Sequence, residues 1–187
     1  MTDHIQHHQV VHNARHAGAV RRYHTWPILR DQSVGEHCWQ LCRIYYQIWG
    51  ELPPDVSTYI IWHDAAELAV GDLPFQIKRD NHTLKRELDK LEGTAMRNMG
   101  GPSMLLSPVM LDRVKLCDLI DMWEYGIDEH RMGNQYAWPI IDDIGDKILT
   151  RLKDMSEELR RPITDYLTRA SITYWLAFSH KLLVAAA

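Results

Sequence analysis

Helix start and stop signals punctuate this chain, and no stretch between them alternates apolar and polar residues long enough to read as a strand. Ser33-Val34-Gly35-Glu36 has the form of a capping box, a hydroxyl at the N-cap and a carboxylate three residues later. It predicts a helix to about Trp49, stopped by Gly50, with Leu41, Ile44, Tyr45 and Ile48 at core spacing. Pro53-Pro54 opens a second helix, because proline is tolerated in a first turn. Leu84, Leu88, Leu91 and Ala95 form one apolar stripe and predict a charged amphipathic helix over 81–99. Gly100-Gly101-Pro102 is a turn, and Ser107-Pro108 starts a helix that runs to about Arg131. Two further helices are expected over 136–158 and 164–184, separated by Pro162. The pattern predicts an all-α fold, a single helical bundle of about six or seven helices across residues 1–187.

A chain of 187 residues can bury a sizeable core. Its 45% apolar and 25% charged residues are ordinary for a soluble globular protein. A net charge of -4 argues against a long nucleic acid as partner. The three cysteines, Cys38, Cys42 and Cys117, form no CxxC pair, and an odd count fits a reduced, cytoplasmic setting. The first thirty residues show no signal-peptide core, and no apolar run approaches the ~18 residues of a membrane span. The seven tryptophans are expected to fill a helical core or a contact between subunits.

His4, His8, His12 and His16 recur every fourth residue and would line one helix face. No carboxylate or cysteine completes a metal site there, so the stripe reads as a solvated or pairing face. Residues 21–32 have no clear period and are broken at Pro27, which predicts a loop. Arginine and aromatic residues crowd that loop; a guanidinium can grip phosphate and a ring can stack on a base, but packed aromatics alone would read the same way. His37 falls in the first turn of its helix, where a histidine is ordinarily structural.

The densest chemistry lies in Ile61-Trp62-His63-Asp64-Ala65-Ala66-Glu67-Leu68-Ala69-Val70-Gly71-Asp72-Leu73-Pro74. Read as the end of a helix, it puts His63 and Glu67 on one face, with Asp64 about 100° further round. Gly71 predicts a left-handed helix end, and Pro74 blocks a restart. On the helix after Ser107, Asp118 sits between apolar neighbours, an expensive place for a carboxylate that is neither paired nor bound to a metal. His37, His63, Asp64 and Asp118 together form a mixed nitrogen and oxygen set, suited to a divalent Mn, Co, Fe, Ni or Zn ion rather than calcium. Such an ion lowers the pKa of its water and polarises a phosphoryl oxygen. Glu67 is placed to orient that water or to exchange a proton with it.

Arg22, Glu36-His37, His63-Asp64-Ala65-Ala66-Glu67, Gly71-Asp72-Leu73-Pro74 with Lys78, and the helical Asp118 occur in an order and spacing that resemble the HD-domain phosphohydrolase superfamily. Within it, the chain looks most like the YfbR-like 5'-deoxynucleotidases and the DatZ-like phage dATP triphosphohydrolases, over Arg22 to about Tyr125. The resemblance implies an HD-domain bundle with metal ligation by His37, His63, Asp64 and Asp118. It implies that Glu67 handles the attacking water and that Asp72 assists near the scissile phosphate. Arg22 and Lys78 match positions that neutralise phosphate, and Tyr23 and Thr25, with His24 and Trp26 more weakly, match the wall of a nucleoside pocket. Relatives tend to show Arg-Trp-Pro where this chain has Arg22-Tyr23-His24-Thr25-Trp26-Pro27, so the departure falls on the loop that selects base and phosphate number. A small deoxynucleotide substrate, an adenine preference, a homo-oligomer (dimer or hexamer) and no membrane partner are what the resemblance and composition lead one to expect. Two other readings fit the same residues. One is a phosphodiesterase on another nucleotide; the other is a nucleotide-binding protein without catalysis.

Overall fold

The structure, a computed structural model, describes residues 14–73, 81–103 and 105–185; after residue 171, only Tyr174 has a described side chain. His4, His8, His12, Pro74, Lys78 and Arg79 lie outside the described residues. The chain divides into two compact units, Met1–Trp39 with Pro53–Leu106, and Gln40–Leu52 with Ser107–Ala187. No helix among the described residues is long and apolar enough to cross a membrane.

The first unit opens with a helical turn at 14–17, then two short strands, β1 (Arg21–Arg22) and β2 (Gln32–Ser33). They pair antiparallel, with Arg22 opposite Gln32, and are the only β structure among the described residues. The segment was expected to be all loop; strands of two residues are too short to show alternation in a sequence. α1 (Val34–Trp49) follows at once. The Ser33 hydroxyl accepts the Glu36 amide at 3.1 Å, as an N-cap should. The Glu36 carboxylate, expected to close the capping box, forms an ion pair with Arg30. Gly35 donates its amide to the Gly18 carbonyl at 2.9 Å, and a Cβ at residue 35 would stand only 3.1 Å from that oxygen. Glycine thus lets the chain before β1 lie directly against the start of α1.

α2 (Pro54–Trp62) begins behind Pro53, buries Val56 and Ile60, and ends at His63. α3 (Glu67–Val70) is a single turn, closed by Gly71. α4 (His82–Asn98) is capped by the Asn81 side chain, which accepts the Leu84 amide. Ala17, Ala65 and Met99 form a small core in this unit, with Trp62, Ala95 and Met96 against it.

The second unit takes the rest of α1 from Gln40 onward. α5 (Pro108–Arg131) starts at a Ser107 cap, a 3-10 turn spans Gln135–Ala137, α6 covers Trp138–Lys153 and α7 covers Glu157–Ala185. Its core is aliphatic: Leu41, Ile44, Leu116, Ile120, Ile127, Ile141, Ile148 and Leu167, with Trp123 among them. Each such side chain contributes about 1.5–3 kcal/mol by leaving water. Gly126 brings α5 close to α6, since a Cβ there would lie 3.0 Å from Ile141. Pro162, expected to separate two helices, lies within α7; the backbone leaves helical geometry at Ser171 instead.

Candidate metal centre and nucleotide site

His63 and Asp64 lie at a break between helices, not on a continuous one. Four i to i+3 bonds tighten the chain here: Ala65 to Trp62 at 3.1 Å, Glu67 to Asp64 at 3.0 Å, Leu68 to Ala65 at 3.3 Å and Ala69 to Ala66 at 3.0 Å. That is 3-10 spacing, in which residues three apart eclipse. The bond from the Glu67 amide to the Asp64 carbonyl puts these two residues one turn apart. The tightening also directs Ala65 and Ala66 inward, where both are buried.

The first turn of α1 and the end of α2 bring three ligand atoms together. One atom each from His37, His63 and Asp64 lies within 4.8 Å of the others. Asp64 Oδ2 is 3.3 Å from His63 Nε2 and 3.6 Å from His37 Nε2. His37 is fully buried. The rings of His37 and His63 are 5.4 Å apart, and Tyr59 stacks on the far ring at 5.8 Å.

The Ile60 carbonyl decides which nitrogen of His63 is free to bind. His63 Nδ1 lies 2.7 Å from that oxygen. A carbonyl can only accept, so Nδ1 carries the hydrogen, and Nε2 of the neutral ring presents a lone pair. The Cys38 thiol donates to the same carbonyl at 3.1 Å, which helps hold the acceptor in place. A lone pair on Nε2 facing a carboxylate oxygen is a repulsive arrangement until a cation stands between them. The donor set therefore fits a divalent metal of borderline character, and the carbonyl acts as the orienting outer partner that such histidines use. The Ile60 carbonyl and Cys38 were not anticipated; a main-chain acceptor leaves no mark in a sequence.

Glu67 is half-buried, with its Oε2 withdrawn from water. Gly71 follows with φ 78 and ψ 163, a region open to glycine almost alone. It differs from the left-handed helix end expected there in ψ, and it redirects the chain so that Asp72 turns back. Asp72 Oδ2 accepts the Tyr23 amide at 2.9 Å, across 49 residues of sequence. Tyr23 itself has φ 59, the one non-glycine residue with positive φ among those described. For a bulky side chain this conformation costs about 1–2 kcal/mol. Arg22 is 7% exposed, reaches the Gln32 side chain at 3.4 Å and lies 5.2 Å over the Tyr23 ring. Thr25 and Trp26 are exposed, on a turn closed by the Trp26 amide and the Tyr23 carbonyl at 2.9 Å.

Asp118 belongs to the second unit, half-buried on α5 beside Cys117 and one turn from the buried Asp121. The Cys117 thiol is pushed well above its ordinary value, by burial first and then by the charges of Asp118, Cys42 and Asp121. It stays protonated and is unsuited to metal binding. Lys78 lies outside the described residues.

Residues 15–167 match the model of the family described as 5'-deoxynucleotidase YfbR-like. The chain belongs to that family. It is 26% identical over 100 residues to a 5'-deoxynucleotidase of Erwinia tasmaniensis, a match covering 47% of this chain and 50% of the relative. It is 30% identical over 138 residues to a dATP triphosphohydrolase of Salmonella phage PMBT28, covering 62% of this chain and 66% of that one. The chain thus spans about half the length of the 5'-deoxynucleotidase and just under two thirds of the phage enzyme. Among solved structures it resembles the cyanophage S-2L HD phosphohydrolase (DatZ) bound to dA and one catalytic Zn2+ ion. The TM-score is 0.64 at 18% identity, over 87% of this chain and 95% of that one. At that identity the likeness establishes the all-α HD-domain fold.

Proposed function

We propose that this YfbR-like chain is a metal-dependent phosphohydrolase that cleaves deoxynucleotides and so controls a nucleotide pool. The observation that carries the reading is the convergence of His37, His63 and Asp64, with His63 Nδ1 on the Ile60 carbonyl and Nε2 toward Asp64. A divalent Co, Mn, Zn, Fe or Ni ion held there would supply a Lewis acid and a water of lowered pKa. Asp118, carried over from the family resemblance, is the fourth ligand of this proposal.

The remaining steps belong to side chains. Glu67, one turn from Asp64 and with one oxygen out of water, orients the attacking water and takes its proton. Asp72 assists on the phosphate side. Arg22 and Lys78 offset the charge that develops on the phosphoryl group. Tyr23, Thr25 and Trp26 wall the nucleoside. The phage relative and the family description support different products, triphosphate from a dATP and orthophosphate from a deoxynucleoside monophosphate. Trp39 and Tyr46, exposed and seven residues apart on α1, supply apolar surface for a homo-oligomer, dimer or hexamer, which sedimentation would size.

The test is product analysis of metal-loaded protein with deoxynucleoside mono- and triphosphates and their ribo counterparts. Nucleoside with orthophosphate identifies a 5'-deoxynucleotidase; nucleoside with triphosphate identifies a triphosphohydrolase. No product from the whole panel with Mn, Co or Zn would overturn the reading.

A further inference from the structure

α2 ends at Trp62, and the last carbonyls of a helix have no donor inside it. The main chain beyond the helix serves two of them: the His63 amide donates to Tyr59 at 2.8 Å and the Ala65 amide to Trp62 at 3.1 Å. Side chains reach the two between. His63 Nδ1 lies 2.7 Å from the Ile60 oxygen, and the Cys38 thiol donates to the same atom at 3.1 Å. The sulfur also stands 3.9 Å from the Ile61 oxygen. A carbonyl oxygen carries two lone pairs, so both donors fit on Ile60 at once. Cys38 is buried and follows His37 directly on α1. One side chain therefore ties the helix that carries His37 to the atom that orients His63.

We infer that Cys38 is a positioning residue: its thiol clamps the Ile60 carbonyl to the first turn of α1 and so fixes how the His63 ring is turned relative to His37. The inference rests on the proposed function, in which both histidines hold a divalent ion. The bond keeps His63 Nε2 toward Asp64 Oδ2, 3.3 Å away, with the two imidazole rings 5.4 Å apart. The outer partner of a histidine ligand fixes its tautomer and its direction, and a partner that can itself move fixes neither. An apolar side chain in place of the thiol would fill the same space. It would leave the Ile60 oxygen held only by the ring that this oxygen has to orient. The clamp is therefore a matter of hydrogen bonding, which substitutions can separate from packing.

Two measurements test this on the full-length chain, in wild type, Cys38→Ser, Cys38→Val and Cys38→Ala. Serine keeps a donor, valine keeps the bulk and alanine keeps neither. The first measurement is Co2+ affinity, read by competition with a chelator and without nucleotide. Cys38→Val and Cys38→Ala should bind about tenfold more weakly, the low end of the range for a lost outer partner, while Cys38→Ser should stay close to wild type. Equal affinity in all four proteins would overturn the clamp. So would a Cys38→Ser affinity as low as that of Cys38→Val, since the hydrogen bond would then add nothing to packing. The second is the tautomer of His63 in metal-free protein at about pH 8, where an ordinary imidazole is neutral. Ring 15N shifts, assigned with His63→Ala, report it. Wild type and Cys38→Ser should show Nδ1–H alone; Cys38→Val and Cys38→Ala should show a share of Nε2–H. Nδ1–H alone in all four would overturn the orienting role. A wild type that binds no Co2+ would overturn the metal site on which the inference rests, and the tautomers would still decide whether Cys38 orients the ring. The expected Co2+ differences beside a silent nucleotide panel would overturn the proposed activity and leave the clamp standing. If Cys38→Val does not fold, Cys38→Ala against Cys38→Ser carries both measurements.

Discussion

Two clusters of ionisable side chains in this molecule are withdrawn from water and have opposite chemistry. In the second unit, Arg43 donates to Gln40 at 2.6 Å, Gln47 at 2.8 Å and the Tyr166 hydroxyl at 2.9 Å, and forms an ion pair with Glu124. Tyr166 in turn donates to Glu124. Donors meet acceptors and positive meets negative, so the cluster is closed. In the first unit, two imidazole nitrogens face one carboxylate oxygen, with the hydrogen of His63 directed away toward Ile60. There the ring nitrogens and the carboxylate oxygen converge on one point that a divalent cation would fill. Titratable residues and low exposure are common to both; direction of the hydrogens separates a structural network from a binding site.

The largest effects should come from the open cluster. Asp64→Ala should lose metal and turnover together, and its metal affinity should fall by more than the roughly 10–100-fold typical of removing an outer-shell partner. Metal content by elemental analysis checks this; a variant that still carries metal would place the ion elsewhere. Glu67→Gln should keep its metal and lose about 10²–10⁴-fold in turnover, the range of a lost general base. Full turnover in that variant would remove Glu67 from the water-handling role.

How far these differences can be read from sequence depends on which atoms carry them. The caps were legible, because Ser33, Pro53 and Ser107 act on the residues next to them. The members of the His37, His63 and Asp64 cluster were legible too, since His63-Asp64 is contiguous and His37 follows a recognisable helix start. Helical spacing did not foresee the i to i+3 bonds between residues 62 and 69, because a 3.6-residue period assumes a continuous helix. The left-handed Tyr23 was illegible, since an aromatic residue is no turn signal and the bond that holds it comes from 49 residues away. The closed cluster was illegible for the same reason: Glu124 lies 81 residues from Arg43 and 42 from Tyr166.

A medium effect on stability, with none on metal content, should mark the closed cluster. Glu124→Ala leaves Arg43 without its counter-charge. Removing one partner of a fully buried pair costs about 3–5 kcal/mol. Here the side chains are 29% and 19% exposed, so water can reach the survivor and about 2 kcal/mol is expected. Urea unfolding measures the cost, and elemental analysis of the same samples reads the metal. Loss of metal in Glu124→Ala would show that the two clusters are coupled, and the contrast between them would fail.

The smallest effect is a pH dependence that only a closed cluster should give. Burial, and then the charge and hydrogen bond of Glu124, push the Tyr166 phenol above its ordinary value. The folded chain therefore holds this proton more tightly than the unfolded chain does. The resulting stability is fully present below the usual phenol pKa of about 10 and is lost as pH rises above it toward the folded value. Tyr166→Phe lacks the proton altogether. It should cost about 1–2 kcal/mol at neutral pH, and the gap to wild type should narrow above pH ~10, by at most about 1.4 kcal/mol per pH unit. Denaturant unfolding of both proteins across the alkaline range measures the gap. A gap that stays constant there would mean that Glu124 does not hold the phenol proton in the folded chain, and Arg43 would then be its only partner in the network.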